Sequence, residues 1–397
     1  MGKPILIVAL VLLMLQASGP VYGSYLEDDP NAGERAVRPI PPPPPRGNEI
    51  TRLVDRLTVG HPYTTRNLTV FPLYVRGGTD PTSYVTLDEA LANRFLAVYE
   101  KGEGRVQEVI VRNDSRHYVF LMAGEIISGA KQNRVIATDT LLRPHGPEIA
   151  VPVYCVERGR WAGRSTAFSS EKSFANNALR YKAQSKAGQN VVWEEVNRVA
   201  GEAGVNSPTS NFQDVVNDKE VRKALGEYAK CMPRPPRRCI GAAIVINNGS
   251  SEGTAYATQA SHGIAGVEVF ANEALFAALW PKLRRGYALD AYPLYGTWHR
   301  MRVGNLVSER RIRAFLNRVH NARFTVRNGI DLGRLYAIRG NAITGEGLVF
   351  DAAESRARTV VHVNFAPRRR ILVPRRDPII LEEREDASTT ENTEDTE

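Results

Sequence analysis

Two stretches of this chain place a glutamate among cations directly after a strand-like apolar run. Residues 124–134 read GEIISGAKQNR and residues 155–165 read CVERGRWAGRS. Glu125 is followed by Lys131 and Arg134, and Glu157 by Arg160 and Arg164, with Gln132, Asn133 and Trp161 between them. If both stretches reach one sheet edge, three kinds of chemistry are open. The charges can pair with one another and pin the chain. They can bind an anionic or sugar-like ligand, with Arg160 or Arg164 as a planar fork, Trp161 as a stacking face, and Lys131, Gln132, Asn133 and Arg134 completing the wall. Or Glu125 and Glu157 can be a catalytic acid–base pair, one protonated by burial and the other kept ionised by arginine. A hydrolase would need the pair on opposite sides of a scissile bond.

The elements that must position these residues are readable from periodicity. VQEVIVRNDSRHYVFLMAG predicts two strands, 106–112 and 117–123. RVIATDTLL (134–142) and EIAVPVYCVE (148–157) predict a second pair. Residues 105–157 therefore read as an antiparallel meander, with 124–134 crossing between its halves. Gly124 and Gly129 permit the sharp backbone this needs. Upstream, LTVFPLYV (68–75) reads as a strand, and Thr86 with Glu89 forms a capping box for a short helix. Helical periodicity follows over 190–204 and 207–232, with helix also open from about residue 173. CIGAAIVIN and GIAGVEVF predict a strand pair, Asn272 caps a helix, and 309–320 is a basic amphipathic helix. ARFTVR, GRLYAIRG, AITGEGLVF and RTVVHVNF close the chain with strands. The expected class is α+β: an antiparallel meander core, inserted helices and a strand-rich C-terminal part.

At 397 residues and 43% apolar composition, the chain can bury a sizeable core. Residues 1–23 have the form of a signal peptide: Lys3, an apolar run from Ile5 to Leu15, then small residues up to Gly23. An uncleaved N-terminal anchor is the alternative, and any membrane contact runs through this segment. The rest is expected outside the cytoplasm, periplasmic or secreted. Residues 24–57, with five consecutive prolines, read as an extended disordered spacer. One domain is expected over 58–366, its meander at 105–157, its helical part at 173–232 and its mixed part at 239–366. Residues 367–397 form a basic and then an acidic tail, whose composition is that of solvated, disordered chain.

The formal charge of +9 favours anionic partners: a small molecule or an envelope polymer. Nucleic acid is disfavoured, because the basic run PRRRILVPRR lacks interleaved aromatics. No metal-ligand spacing and no phosphate-binding glycine loop occurs, so neither metal nor cofactor is expected. Cys231 and Cys239 flank a short loop and are a candidate disulfide; Cys155 lies in an apolar run and is expected to be buried and inert. Asp290 reads as a cap or a wall residue, and His262 and His362 as structural residues.

The same motifs carry a family likeness. LMAGEIISGAKQNRVI, IAVPVYCVERGRW, VVWEEV, SPTSNFQDV, GVEVF, LWPKLRRGYALDA and VVHVNF, in this order from about Tyr63 to Ala366, resemble the bacterial "ARG and Rhodanese-Phosphatase-superfamily-associated Protein" domain. The family's glycine-rich and CVE–GRW patterns map onto Gly124, Glu125, Gly129–Arg134, Val153, Cys155–Glu157 and Gly159–Trp161. Its name records an association with ADP-ribosylglycohydrolase-like and phosphatase-like domains. The resemblance implies nucleotide- or ADP-ribose-related ligands but no particular reaction. The leading expectation is an extracytoplasmic domain that binds a ligand or partner in a polar, cationic groove. A hydrolase of a nucleotide- or sugar-like anion through Glu125 and Glu157 is one alternative, and a purely structural envelope protein the other.

Overall fold

Asn48 begins the folded part by capping the first helix. Its side chain accepts from the backbone N–H of Ile50 and Thr51, and the helix buries Ile50 and Val54. The spacer expected to run to residue 57 therefore ends earlier, because this apolar stripe packs into the core. The computed structural model describes residues 47–100, 107–160, 166–247, 263–295, 307–351 and 358–368. The expected signal and proline run, Trp161, Arg164, His262 and nearly all of the tail lie outside the described residues.

In chain order, α1 (Glu49–Arg56), β1 (Leu57–Val59), β2 (Tyr63–Thr65), β3 (Leu68–Val75), β4 (Tyr84–Thr86), α2 (Leu87–Ala92) and β5 (Leu96–Tyr99) come first. Then follow β6 (Glu108–Asn113), β7 (Tyr118–Leu121), β8 (Glu125–Gly129), β9 (Arg134–Ile136), β10 (Thr140–Leu142), β11 (Ile149–Cys155) and β12 (Phe168–Phe174). A helical stretch holds α3 (Asn177–Gln184), α4 (Gln189–Ala203), α5 (Phe212–Asn217) and α6 (Lys219–Tyr228). The rest is β13 (Cys239–Ile246), β14 (Ile264–Phe270), α7 (Glu273–Ala291), α8 (Glu309–Leu316), β15 (Arg323–Asn328), β16 (Arg334–Arg339), β17 (Thr344–Phe350) and β18 (Thr359–Ala366). The fold is α+β with antiparallel sheets, inserted helices and a strand-rich C-terminal region.

A nine-stranded sheet runs β1-β3-β13-β14-β18-β17-β16-β15, with β2 added on β3. Alternation along its strands separates two apolar faces. Val267, Val269, Val363 and Phe365 join Ile50, Val54, Ile312 and Phe315 on the side of α1 and α8. Phe270, Leu335 and Leu348 face the other way, into the cluster built on α7 residues such as Phe276, Trp280 and Leu283. A six-stranded sheet, β12-β8-β9-β11-β6-β5, and a three-stranded one, β10-β7-β4, enclose a third apolar cluster.

The region 105–157 is antiparallel, but its strands do not pair in simple succession. β6 pairs with β5 and β11, whereas β7 pairs with β10 and, in parallel, with β4. The run 134–142 divides into β9 and β10, which belong to different sheets. GEIISGAKQNR is not a crossover but a β8–β9 hairpin, with Ile127 opposite Arg134. Gly129 (φ +138°) and Ala130 (φ 45°) turn it. A Cβ at Gly129 would lie 2.5 Å from the carbonyl oxygen of Ala167, so only glycine fits.

The expected Cys231–Cys239 bridge is absent. Both are buried free thiols, each turned to its own backbone carbonyls: Tyr63 and Leu68 for Cys231, Gly241 for Cys239. The 207–232 helix is split by Asp218, whose carboxylate caps α6.

Candidate functional site

The predicted residues form a network around Glu157, at the hairpin turn. Asn133 N–H and Arg160 Nε donate to the Glu157 carboxylate at 3.2 and 2.9 Å. Arg160 also donates to the Ala130 carbonyl at 2.9 Å and to Asn133 Oδ1 at 3.2 Å. Gln132 reaches the Arg158 carbonyl at 3.1 Å. Arg134, fully buried, donates to Gln132, to Cys155 Sγ and to Glu100 at 3.0 Å. Burial pushes the Cys155 thiol up to about 11, against the pull of Arg134, which makes it a poor nucleophile. Lys131 is half-buried at the same turn. Most of the sequence-predicted ligand-binding residues thus come together, but they bind one another and fasten the β8–β9 turn to the segment after β11.

Glu125 is elsewhere. The pairings of Ile126 with Val135 and of Val153 with Ile136 put Glu125 level with Val153, four residues short of Glu157 and two strands away. At standard strand geometry the two Cα atoms are about 16 Å apart. Glu125 is held by Lys282 of α7, which also donates to Asp88 at 2.9 Å, and by the Met122 N–H at 2.6 Å. Burial raises the Glu125 carboxyl, and Lys282 opposes that rise. The two glutamates do not form a catalytic pair.

A different polar group lies on the nine-stranded sheet. Glu268 on β14 is directly opposite Asn364 on β18, which is directly opposite Glu346 on β17. Directly paired residues share a face, so the three form a polar row on the α7 side. Ala242 and Ala337 flank the row and leave room beside it. His362, two residues before Asn364, is on the same face. Its Nδ1 lies 2.6 Å from Asp139 Oδ2 and its Nε2 2.8 Å from Glu268 Oε2. Glu268 Oε1 accepts from Arg180 of α3 and from Tyr287 of α7, each at 2.5 Å. Gly266 makes room for that tyrosine: a Cβ there would be 2.3 Å from its hydroxyl oxygen. Asp139, in the β9–β10 connection, is fixed by the Ala123 N–H at 2.9 Å.

A cavity of about 200 Å³ opens over this row. Glu268, Tyr287, Asn364, Glu346 and Gln184 line it, and Lys186, Arg327 and Arg339 also contribute to its wall. Asn364 organises two of the lining groups. Its Oδ1 accepts from the Glu346 N–H at 3.0 Å and its Nδ2 donates to Gln184 Oε1 at 3.3 Å. Arg327 holds Glu346 Oε1 at 2.8 Å. One acceptor and one donor are left, Glu346 Oε2 and Gln184 Nε2, both buried and without a partner. Buried polar atoms in that state are costly, which marks them as places for a ligand's own groups.

The electrostatics separate the two cavity carboxyls. Burial would raise Glu268, but the Arg180 charge and the His362 ring outweigh it and hold the group below its ordinary value. Burial and the Asp139 charge raise Glu346, with Arg327 acting against them. Burial would lower His362, yet Asp139 and Glu268 hold it raised. Since both ring nitrogens face carboxylate oxygens, the ring donates from both and is an imidazolium. Among the described residues no group of three or more His, Cys, Asp or Glu side chains is placed to hold a metal ion.

The ARG and Rhodanese-Phosphatase-superfamily-associated Protein domain matches residues 56–366, most of the chain. The chain belongs to this family. No curated protein and no solved structure matches it. The GEIISGAKQNR and CVERGR segments of this family domain meet at the Glu157 network, whereas GVEVF and VVHVNF supply the row beneath the cavity. Motif reading passes over the row because each member is one polar residue in an apolar strand. That isolation is the usable signal: Glu268 in IAGVEVF, Glu346 in TGEGLVF, and His362 and Asn364 in TVVHVNFA occupy inward positions where charge is rarely tolerated alone.

Proposed function

We propose that this domain binds a small, hydroxyl-rich anion in the cavity between α3, α7 and the β14-β18-β17 strands. The observation that carries the reading is the pair of buried, unpartnered groups in the cavity wall, Glu346 Oε2 and Gln184 Nε2. A ligand oxygen can share a proton with the first, and a ligand hydroxyl can accept from the second. Lys186 and Arg339, both exposed at the cavity, have no carboxylate partner among the described residues and suit an acidic substituent. Size favours a small molecule over a polymer, since drug-sized ligands occupy about 300–1,000 Å³ and this cavity is smaller. The cationic groove expected at the Glu157 network moves in this proposal to the Glu346 cavity. Placement outside the cytoplasm is part of the proposal and rests on residues 1–23 alone.

The test is thermal shift and calorimetry with sugar phosphates and uronic acids, on the wild-type chain and the Lys186→Ala/Arg339→Ala double variant. The wild type should bind one class with a raised melting temperature. The double variant should bind it at least about tenfold more weakly, the loss of roughly 1.4 kcal/mol expected for two exposed charge contacts, with its own melting temperature unchanged. Equal affinity in both proteins would place the ligand elsewhere.

A further inference from the structure

The cavity has the two carboxyl groups of a hydrolytic site as well as the walls of a binding site. We propose that the chain cleaves an acetal linkage in the ligand it holds, with Glu346 Oε2 as proton donor and Glu268 as the opposing carboxylate; hydrolysis here rests on the binding proposed for the same cavity. Glu346 is pinned at Oε1 by Arg327 and at its backbone by Asn364, and its second oxygen is the one left buried without a partner in a residue that lines the cavity. Glu268 stands in the same cross-strand row, two strand spacings away, about 9.6 Å between Cα atoms. Carboxyl groups that work on either side of a sugar with a water between them are about 6.5–9.5 Å apart, a separation that side chains rising from Cα atoms about 9.6 Å apart can reach.

The occupancy of Glu268 suits its part. A carboxylate has about four lone-pair sites. Arg180 and Tyr287 take Oε1 and His362 takes one site on Oε2, which leaves one lone pair of Oε2 unfilled. Asp139, His362 and Arg180 keep that carboxylate ionised and still; they are positioning residues. Burial and the Asp139 charge raise the Glu346 carboxyl, which favours its protonated form. In the reaction, the bond from the anomeric carbon to the leaving oxygen breaks as Glu346 Oε2–H gives its proton to that oxygen. Water forms the new carbon–oxygen bond and its proton passes to Glu268. Release of both products lets solvent return a proton to Glu346 and remove one from Glu268, so the site is restored with no other reactant. Positioning and proton transfer of this kind contribute about 10²–10⁴-fold to rate.

Leaving-group dependence tests the role of Glu346 whichever natural ligand the cavity takes. The probes are 2,4-dinitrophenyl and methyl glycosides carrying a 6-phosphate or a uronate. A dinitrophenolate leaves without protonation; a methoxide does not. Wild-type protein should cleave both members of the pair that raises its melting temperature. E346Q should keep dinitrophenyl turnover within about tenfold and lose methyl glycoside turnover at least about 100-fold. Arg327→Ala, at a half-exposed side chain whose loss should leave the fold intact, removes the cation that opposes protonation of Glu346. It should therefore move the alkaline limb of kcat/KM to higher pH. Equal losses on both leaving groups in E346Q, or an unmoved limb in R327A, would overturn the assignment. Probes that bind but are never cleaved would overturn hydrolysis and leave the binding reading standing; probes that neither bind nor are cleaved would remove both.

Discussion

The Glu157 network and the Glu268–Asn364–Glu346 row are both dense in charge, yet they differ in what is left over. At Glu157, the carboxylate, Arg160, Asn133 and Gln132 spend their hydrogen bonds on one another and on nearby backbone. At the row, Glu346 Oε2 and Gln184 Nε2 remain buried, unpartnered and beside a cavity. Charge density therefore does not distinguish a fastening from a site. Position does: Arg134 Nε in the Glu157 network is also buried without a partner, but the unpartnered atoms of the row belong to residues that line the cavity, where a ligand can meet them.

The largest effect should come from breaking a saturated cluster. Lys282→Met leaves Glu125 buried with Asp88 nearby and no cation between them. Removing one partner of such a buried group costs about 3–5 kcal/mol. Urea unfolding should report that loss, and Glu125→Gln in the same chain should recover much of it. Ligand affinity per folded molecule should not change. If Lys282→Met instead left stability intact and abolished binding, the distinction between fastening and site would fail.

These clusters also show what a sequence makes legible. Local signals survive folding because their partners are neighbours in the chain. The Thr86–Glu89 capping box and the Asn272 cap form as their spacing predicts. The β3, β13 and β14 strands follow their apolar runs, and β13 and β14 pair. The α+β class with its helical insert and C-terminal strands follows from the same periodicities. Long-range partners are not legible in this way. Glu125 finds Lys282 across 157 residues, and His362 finds Asp139 across 223. Nothing local in GEIISGAKQNR separates a crossover from a hairpin, since glycine permits either. The Arg134–Cys155 contact and the Asn133 and Arg160 bonds to Glu157 bring the two motif stretches together. Glu125 does not join them, because the hairpin sets it at the other end of its strand.

A smaller effect should sharpen the contrast from the unsaturated side. Gln184→Leu removes one buried donor that has no partner and one acceptor held by Asn364 at 3.3 Å. The two changes oppose each other, so unfolding free energy should stay within about 0.5 kcal/mol of wild type. The ligand loses a hydrogen bond, and its affinity should fall about tenfold, or roughly 1.4 kcal/mol. A variant destabilised by several kcal/mol with unchanged affinity would mean that Gln184 belongs to a fastening after all.

The smallest effect concerns the helix that walls the cavity. Asp290 of α7 accepts from Asn176 Nδ2 at 2.8 Å and from the Asn177 N–H at 2.9 Å, at the start of α3. Burial pushes its carboxyl up to about 6, although both hydrogen bonds pull the other way. A raised carboxyl binds its proton more tightly in the folded chain than in the unfolded one. Its contribution therefore favours folding at low pH and is lost as pH rises from about 4 through about 6. Asp290→Asn keeps an oxygen for the Asn177 N–H and cannot ionise. Relative to wild type it should gain roughly 2 kcal/mol between pH 4 and pH 7, measured as the difference in urea unfolding at the two values. Wild-type and variant curves with the same pH slope would show that Asp290 stays ionised throughout. The α3 end of the cavity would then be held by a permanent charge, as the Glu157 network is.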